Sequence, residues 1–266
     1  MVDVNVCVEF GYEIAVAVPY AYWHHVNGSL LSTVSCHDTS VFYPFSANHR
    51  EMYPDRNDTP VNDIFTNHHN IEAAKFTDEM WLPPPLKDTY ANNLIVSEKP
   101  IMTIANKYCV EWGSPPRNFI NPEALDILFS TFKDKYQIIY SRYCGEGSDD
   151  LSWKEKIEFA PLNDWAIVDK HPEVITIQEL HRKFPQLTFN RLQVMLYANT
   201  DAFISVSGGT TIFVCYFAKD TVMFVKNCRD VGNGAIKGWY KQLYGTEVHD
   251  VSTDEDLINK SKELYL

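Results

Sequence analysis

None of the six cysteines (Cys7, Cys36, Cys109, Cys144, Cys215 and Cys228) forms a CxxC pair, and none stands at metal-ligand spacing from a histidine. That spacing excludes the common zinc frameworks and gives no disulfide scaffold, so the thiols are expected to be reduced. Long apolar runs are missing too: none approaches the roughly 18 residues of a membrane span. The first residues, MVDVNVCVEF, lack a basic region followed by an apolar one. A chain of this kind is expected to be soluble and cytoplasmic. The sequons at Asn27, Asn57 and Asn259 would matter only in a secretory lumen. Positive charge is scarce as well, with 23 Lys and Arg against 35 Asp and Glu and a formal net charge of −12. Such a surface repels polyanions, which argues against a nucleic-acid or anionic-membrane partner but leaves room for a local basic cleft around a small phosphate. Neither the GxGxxG fingerprint nor a phosphate loop ending in Gly-Lys-Ser/Thr occurs.

What the chain does have is apolar mass. At 266 residues and 45% hydrophobic content it can bury a real core as one large domain or two small ones. Val2–Val8 reads as a strand, and residues 13–26 read as an apolar helix interrupted by Pro19 and stopping at Asn27-Gly28. Leu31–Ser35 and Val41–Phe45 read as short strands, and the Asn-, Asp- and His-rich stretch 46–70 as mainly loop. Trp81-Leu-Pro-Pro-Pro reads as a linker, dividing the chain into residues 1–95 and 96–266. Beyond it, strands at 101–105, 137–140, 174–177, 203–206 and 221–225 alternate with helices at 122–132, 190–198 and 210–217. Alternation of this kind predicts a parallel sheet covered on both faces. The final amphipathic helix, 254–264, is expected to be able to pack back across the junction.

In FISVSGGTTIFVCYF the apolar run is broken by Ser207, Gly208, Gly209, Thr210 and Thr211, at a strand-to-helix turn. Free N–H groups, close backbone approach at glycine and two hydroxyls suit a diphosphate. A tight turn with a threonine cap accounts for the same residues without a ligand. In a parallel sheet, ligands sit beyond the carboxyl ends of the strands. That edge collects Asn106, Lys107 and Tyr108 after one strand, Arg142 after a second and the glycine turn after a third. Taken singly, Lys107 reads equally as a solvated lysine, and Arg142 as an ion-pair partner of Asp149 or Asp150. A guanidinium and two hydroxyls converging on one turn favour an anion.

The segments NKYCVEWGSPPRNF, YQIIYSR and FNRLQVMLYANTDAFISVSGGTTIFVCYF resemble the donor-binding half of GT-B-type glycosyltransferases, most closely the small glycosyltransferase-like proteins of microbes, algae and large algal DNA viruses. GYEIAVAVPYAYWHHVNGSLLSTVSCHDTSVFYPFS is similar to their acceptor half. The resemblance implies an α/β fold of two Rossmann-like halves, with a small N-terminal half and a parallel-sheet C-terminal half. It also implies a UDP- or GDP-linked sugar donor, a glycan acceptor, and a general base just after an early strand. Glu13 fits that place, with Asp38 second; Glu13 reads equally as a helix-start acid and Asp38 as a turn residue. No Asp-x-Asp follows a strand and His68-His69 lacks further ligands, so no metal or other cofactor is expected. The alternatives are a nucleotide-sugar epimerase of the non-hydrolysing type and a non-catalytic binding module.

Overall fold

The computed structural model describes residues 1–56, 80–108, 115–142, 162–226 and 238–266. Three strands, β1 (Val2–Asn5), β2 (Leu30–Cys36) and β3 (His49–Tyr53), form a small parallel sheet in that order. Six more form a second parallel sheet: β4 (Ile101–Asn106), β5 (Gln137–Arg142), β6 (Ile175–Thr176), β7 (Ala202–Val206), β8 (Asp220–Phe224) and β9 (Glu247–Val251). Their order is β6-β5-β4-β7-β8-β9, so the chain builds outward from β4 in one direction, returns, and builds outward from β7 in the other. This is the Rossmann strand order, and its ligand crevice opens where the order reverses, outside the carboxyl ends of β4 and β7.

The helices are α1 (Phe10–Tyr12), α2 (Val18–Val26), α3 (Leu86–Tyr90), α4 (Pro122–Phe132), α5 (Trp165–Val168), α6 (Ile177–Lys183), α7 (Phe189–Ala198), α8 (Gly209–Val214), α9 (Tyr240–Tyr244) and α10 (Asp254–Tyr265). Pro19 does not interrupt the first of these runs as the sequence predicted. A π-helical turn, Glu13–Ala17, joins α1 to α2, and Pro19 falls in the first turn of α2, where its missing N–H costs little. The carbonyls this loosens find other donors. Ile14 accepts from the Tyr216 hydroxyl at 2.6 Å and Ala15 from the Trp81 indole at 2.8 Å.

Two further expectations are corrected. Val41–Phe45 is not a strand: Ser40–Phe42 is a 3-10 turn, and the third strand of the small sheet is β3, inside the stretch read as loop. From residue 57 on, that stretch, with Asn57 and His68-His69, lies outside the described residues. Trp81-Leu-Pro-Pro-Pro is no free linker either. Trp81, Leu86, Tyr90 and Ile95 are buried, the Tyr90 hydroxyl donates to Val41 O at 2.6 Å, and Lys87 Nζ donates to Phe217 O at 2.8 Å.

One hydrophobic cluster runs from the small sheet through α7 and α8 to the large one. At its centre the rings of Phe10, Phe42 and Phe213 meet pairwise at centroid distances of 5.5–5.8 Å. Tilted and edge-on ring pairs at this range each contribute about 0.5–1.5 kcal/mol beyond their burial. A second cluster, with α4, α5 and α10, covers the opposite face of the large sheet. The last helix therefore does not cross to the first half. Tyr265 instead donates to Phe203 O at 2.7 Å and Lys135 Nζ to Tyr265 O at 2.6 Å. Among the described residues, no helix is long and apolar enough to cross a membrane.

Candidate active site

The crevice between β4 and β7 is walled by Lys107-Tyr108 on one side and the β7–α8 turn on the other. Gly208 opens α8 with φ +133°, a backbone conformation that L side chains rarely adopt, and as the cap residue it has no side chain to cap the helix. Lys107 lies directly over it: a Cβ on Gly208 would stand 2.9 Å from the Lys107 ammonium. Gly208, Gly209 and Thr210 are partly exposed, as are Lys107 and Tyr108. Tyr108 packs edge-on against Phe119, ring centroids 4.8 Å apart.

Gly209 serves a different contact from the one its sequence context implied. A Cβ there would meet Gly11 Cα and N at 3.1 Å and Phe10 Cδ1 at 3.0 Å. The glycine pair Gly11–Gly209 lets α1 of the small sheet press its backbone onto the turn. Thr211 is wholly buried, and its hydroxyl donates to Val206 O at 2.8 Å and lies 3.0 Å from Ser205 Oγ. Ser207 is buried, its N–H bonded to Phe224 O at 3.0 Å. These two hold the turn together from inside.

Asn106 is buried and saturated. Its Nδ2 donates to Ile120 O and the Tyr140 hydroxyl at 2.9 and 3.1 Å, and its Oδ1 accepts from the N–H groups of Lys107 and Ile120, both at 2.9 Å. It clamps the loop after β4 and so sets where Lys107 begins. Arg142 is buried against Asp164, Nε to Oδ2 at 2.6 Å, with its guanidinium carbon 5.0 Å from the Trp165 ring. The Tyr140 hydroxyl also donates to Asp164 Oδ2, at 2.6 Å. Burial raises the Asp164 carboxyl above its usual range, Tyr140 and Arg142 opposing. Arg142 is thus an ion-pair residue whose partner is Asp164, which the sequence did not single out; Asp149 and Asp150 lie outside the described residues.

Neither carboxylate singled out as a base faces the crevice. Glu13 is wholly buried, with Oε2 2.5 Å from Arg56 Nη1 and Oε1 2.7 Å from the Tyr43 hydroxyl. Burial, and then Glu13 itself, pushes the Tyr43 hydroxyl far up from its ordinary value. Asp38 has φ 59°. Its Oδ2 accepts the Asn190 N–H and its carbonyl accepts the Asn190 amide, both at 2.9 Å, tying the end of β2 to the start of α7. It lines a shallow cleft of about 270 Å³ with His37, Glu51, Thr188 and Arg191.

The carboxylate that does meet the turn is Glu9, exposed at the start of α1. It accepts the N–H groups of Gly11 and Tyr12 at 2.9 and 3.0 Å. A Cβ on Gly11 would lie 3.1 Å from both a Glu9 carboxylate oxygen and Gly209 Cα, so those two are within twice 3.1 Å of each other. The signal for it was a glutamate between the first strand and the helix, one turn before Glu13.

A solved structure, E. coli ADP-heptose lps heptosyltransferase II, is similar to this chain with a TM-score of 0.58, covering 98% of this chain and 97% of that one. The chain shares with that protein an α/β fold of parallel sheets. At 10% identity the likeness is one of fold alone. No family model and no curated protein sequence matches the chain.

Proposed function

We propose that the chain is a glycosyltransferase that moves a sugar from a nucleotide-sugar to an acceptor hydroxyl, with residues 96–266 holding the donor and residues 1–95 facing the acceptor. The observation that carries this reading is the Lys107 ammonium seated over Gly208 at the point of strand-order reversal. It sits on a chain whose fold follows a heptosyltransferase nearly end to end. In this reading the donor diphosphate lies along Gly208–Thr210 and Lys107 neutralises it. Glu9 takes the proton of the acceptor hydroxyl, whose oxygen attacks the anomeric carbon as the bond to the diphosphate breaks. The nucleoside diphosphate leaves with the bonding electron pair, and the anomeric centre inverts. The leaving charge is met by the lysine, without a metal.

The test is calorimetry with UDP, GDP and ADP, followed by transfer assays with the matching sugars; the adenine series is included because the similar structure is named for an ADP-heptose enzyme. Lys107→Met should weaken nucleoside diphosphate binding at least tenfold, consistent with the roughly 1.5–3 kcal/mol of a charge-assisted hydrogen bond. Glu9→Gln keeps an oxygen for the helix cap and should leave nucleotide affinity unchanged while transfer falls roughly 10²–10⁴-fold. Chelation should leave transfer intact. A folded protein that binds none of the three nucleotides sinks the proposal. Binding with no transfer that depends on Glu9 favours a non-catalytic module instead, a reading supported by the structural roles that hold Glu13 and Asp38.

A further inference from the structure

Lys226 lies on the opposite side of the glycine turn from Lys107. Ala105, Ser205 and Met223 stand abreast on β4, β7 and β8, and two residues further on come Lys107, Ser207 and Val225. Lys226 is the next residue, at the carboxyl end of β8. Its position is fixed at both ends of the residue. The backbone N–H donates to Oδ1 of the buried Asn118 at 2.9 Å, and the ammonium stands 5.2 Å from the Phe119 ring centroid and 5.1 Å from that of Phe224. Phe119 is the ring against which Tyr108, next to Lys107, packs. Lys226 is nonetheless exposed.

Three lysines of the fold sit on carboxylates, Lys133 on Glu173, Lys241 on Glu247 and Lys260 on Glu263, all within 3.0 Å, and Lys87, Lys99 and Lys135 donate to backbone carbonyls. Lys226 has no carboxylate partner among the described residues. A chain with net charge −12 has acids in excess to place beside a surface lysine. Two aromatic rings hold this ammonium while leaving its N–H groups for an anion.

We infer that Lys226 is a second phosphate-binding cation of this site, reaching from the β8 side the diphosphate that Lys107 reaches from the β4 side, so that the site selects nucleoside diphosphates over monophosphates. A monophosphate presents one phosphate group and engages one ammonium fully; a diphosphate spans the turn and engages both. The inference rests on the glycosyltransferase reading of the crevice, and its test separates the two. Wild-type protein, Lys226→Met and Lys226→Arg are titrated calorimetrically with UDP and UMP, GDP and GMP, ADP and AMP. Methionine keeps most of the packing on Phe119 and Phe224 and removes the charge, and urea unfolding checks that the fold is retained. The expected result is diphosphate affinity at least tenfold weaker in Lys226→Met, monophosphate affinity changed less than threefold, and most of the diphosphate affinity kept in Lys226→Arg. If the wild type binds no diphosphate, the reading of the crevice fails and this inference with it. If the wild type binds a diphosphate and Lys226→Met binds it equally well, or loses both phosphate classes in equal measure, the inference alone is overturned.

Discussion

Replacing Glu13 by glutamine distinguishes a buried structural acid from a catalytic one by opposite signatures. The side chains of Glu13 and Arg56 are 0% and 1% exposed and meet at 2.5 Å. Arg56 Nη1 also donates to Val8 O at 3.0 Å, and its guanidinium carbon lies 5.3 Å from the Phe10 ring. Glutamine can still accept from Tyr43, so the substitution removes one thing, the negative charge that faces the buried guanidinium. Removing one member of a buried pair typically costs about 3–5 kcal/mol, because the remaining charge keeps its desolvation penalty without its partner. For a chain of this size each kcal/mol moves the melting temperature by roughly 2–4 °C, so Tm should fall by roughly 6–20 °C. Urea unfolding should show a lower midpoint at an unchanged slope. Glu13→Gln/Arg56→Met removes both charges and should recover much of the loss. Nucleotide affinity and transfer per folded molecule should match the wild type. The opposite pattern, an unchanged urea midpoint with transfer reduced a hundredfold or more, would refute the structural role and restore Glu13 as the base.

Two further outcomes follow from the packing and from two histidines. Gly209→Ala places a methyl 3.1 Å from Gly11 Cα and N, backbone atoms that cannot rotate away, and should cost about 1–3 kcal/mol as overpacking does; an unchanged urea midpoint would mean that α1 and the turn separate freely. Burial lowers the His24 and His49 pKa values from the ordinary 6.5, with the N-terminal charge adding to the effect at His24 and Glu51 opposing it at His49. The folded state therefore binds these protons less readily than the unfolded chain. The stability they contribute is fully present above about pH 6.5 and is lost as pH falls through the lower folded values. The urea midpoint should drop between about pH 7 and pH 5 and drop less in His49→Asn, whereas a flat wild-type profile contradicts the lowered pKa values.

The large sheet was legible where burial on both faces makes a strand apolar throughout. IMTIAN, QIIYSR, AFISV and DTVMF sit at the centre of the sheet and read as strands without help. The edges did not. EVHDV of β9 and HREMY of β3 are half-exposed and polar, so their composition is that of a loop, and only pairing with β8 and β2 makes them strands. Val41–Phe45 failed in the opposite sense. Its apolar residues are buried not by a sheet but by Phe10, Phe213 and Tyr90, which arrive from 30 or more residues away. A local pattern reports that a residue is buried, not what covers it.

The same limit divides the candidate site. Carboxyl-end placement brought Lys107, Tyr108 and the glycine turn to one crevice, because strand direction alone decides which residues reach that edge. It could not separate side chains aimed into the crevice from those aimed into the sheet beneath it. Asn106, Arg142, Ser207 and Thr211 reach the right edge, yet their polar groups hold the loops in place. The distinction depends on partners remote in sequence: Tyr140 and Ile120 for Asn106, Asp164 for Arg142, Phe224 for Ser207. Glu13 and Glu9 show the smallest version of it. They are four residues apart on one helical run, and Glu9 lies at its exposed start while Glu13 meets Arg56 beneath. That assignment requires knowing where the helix begins: read from Glu13 the run puts its first acid at position 13, but with Glu9 as the cap of α1 the acid at the helix start is Glu9, and Glu13, one turn later, is carried into the core.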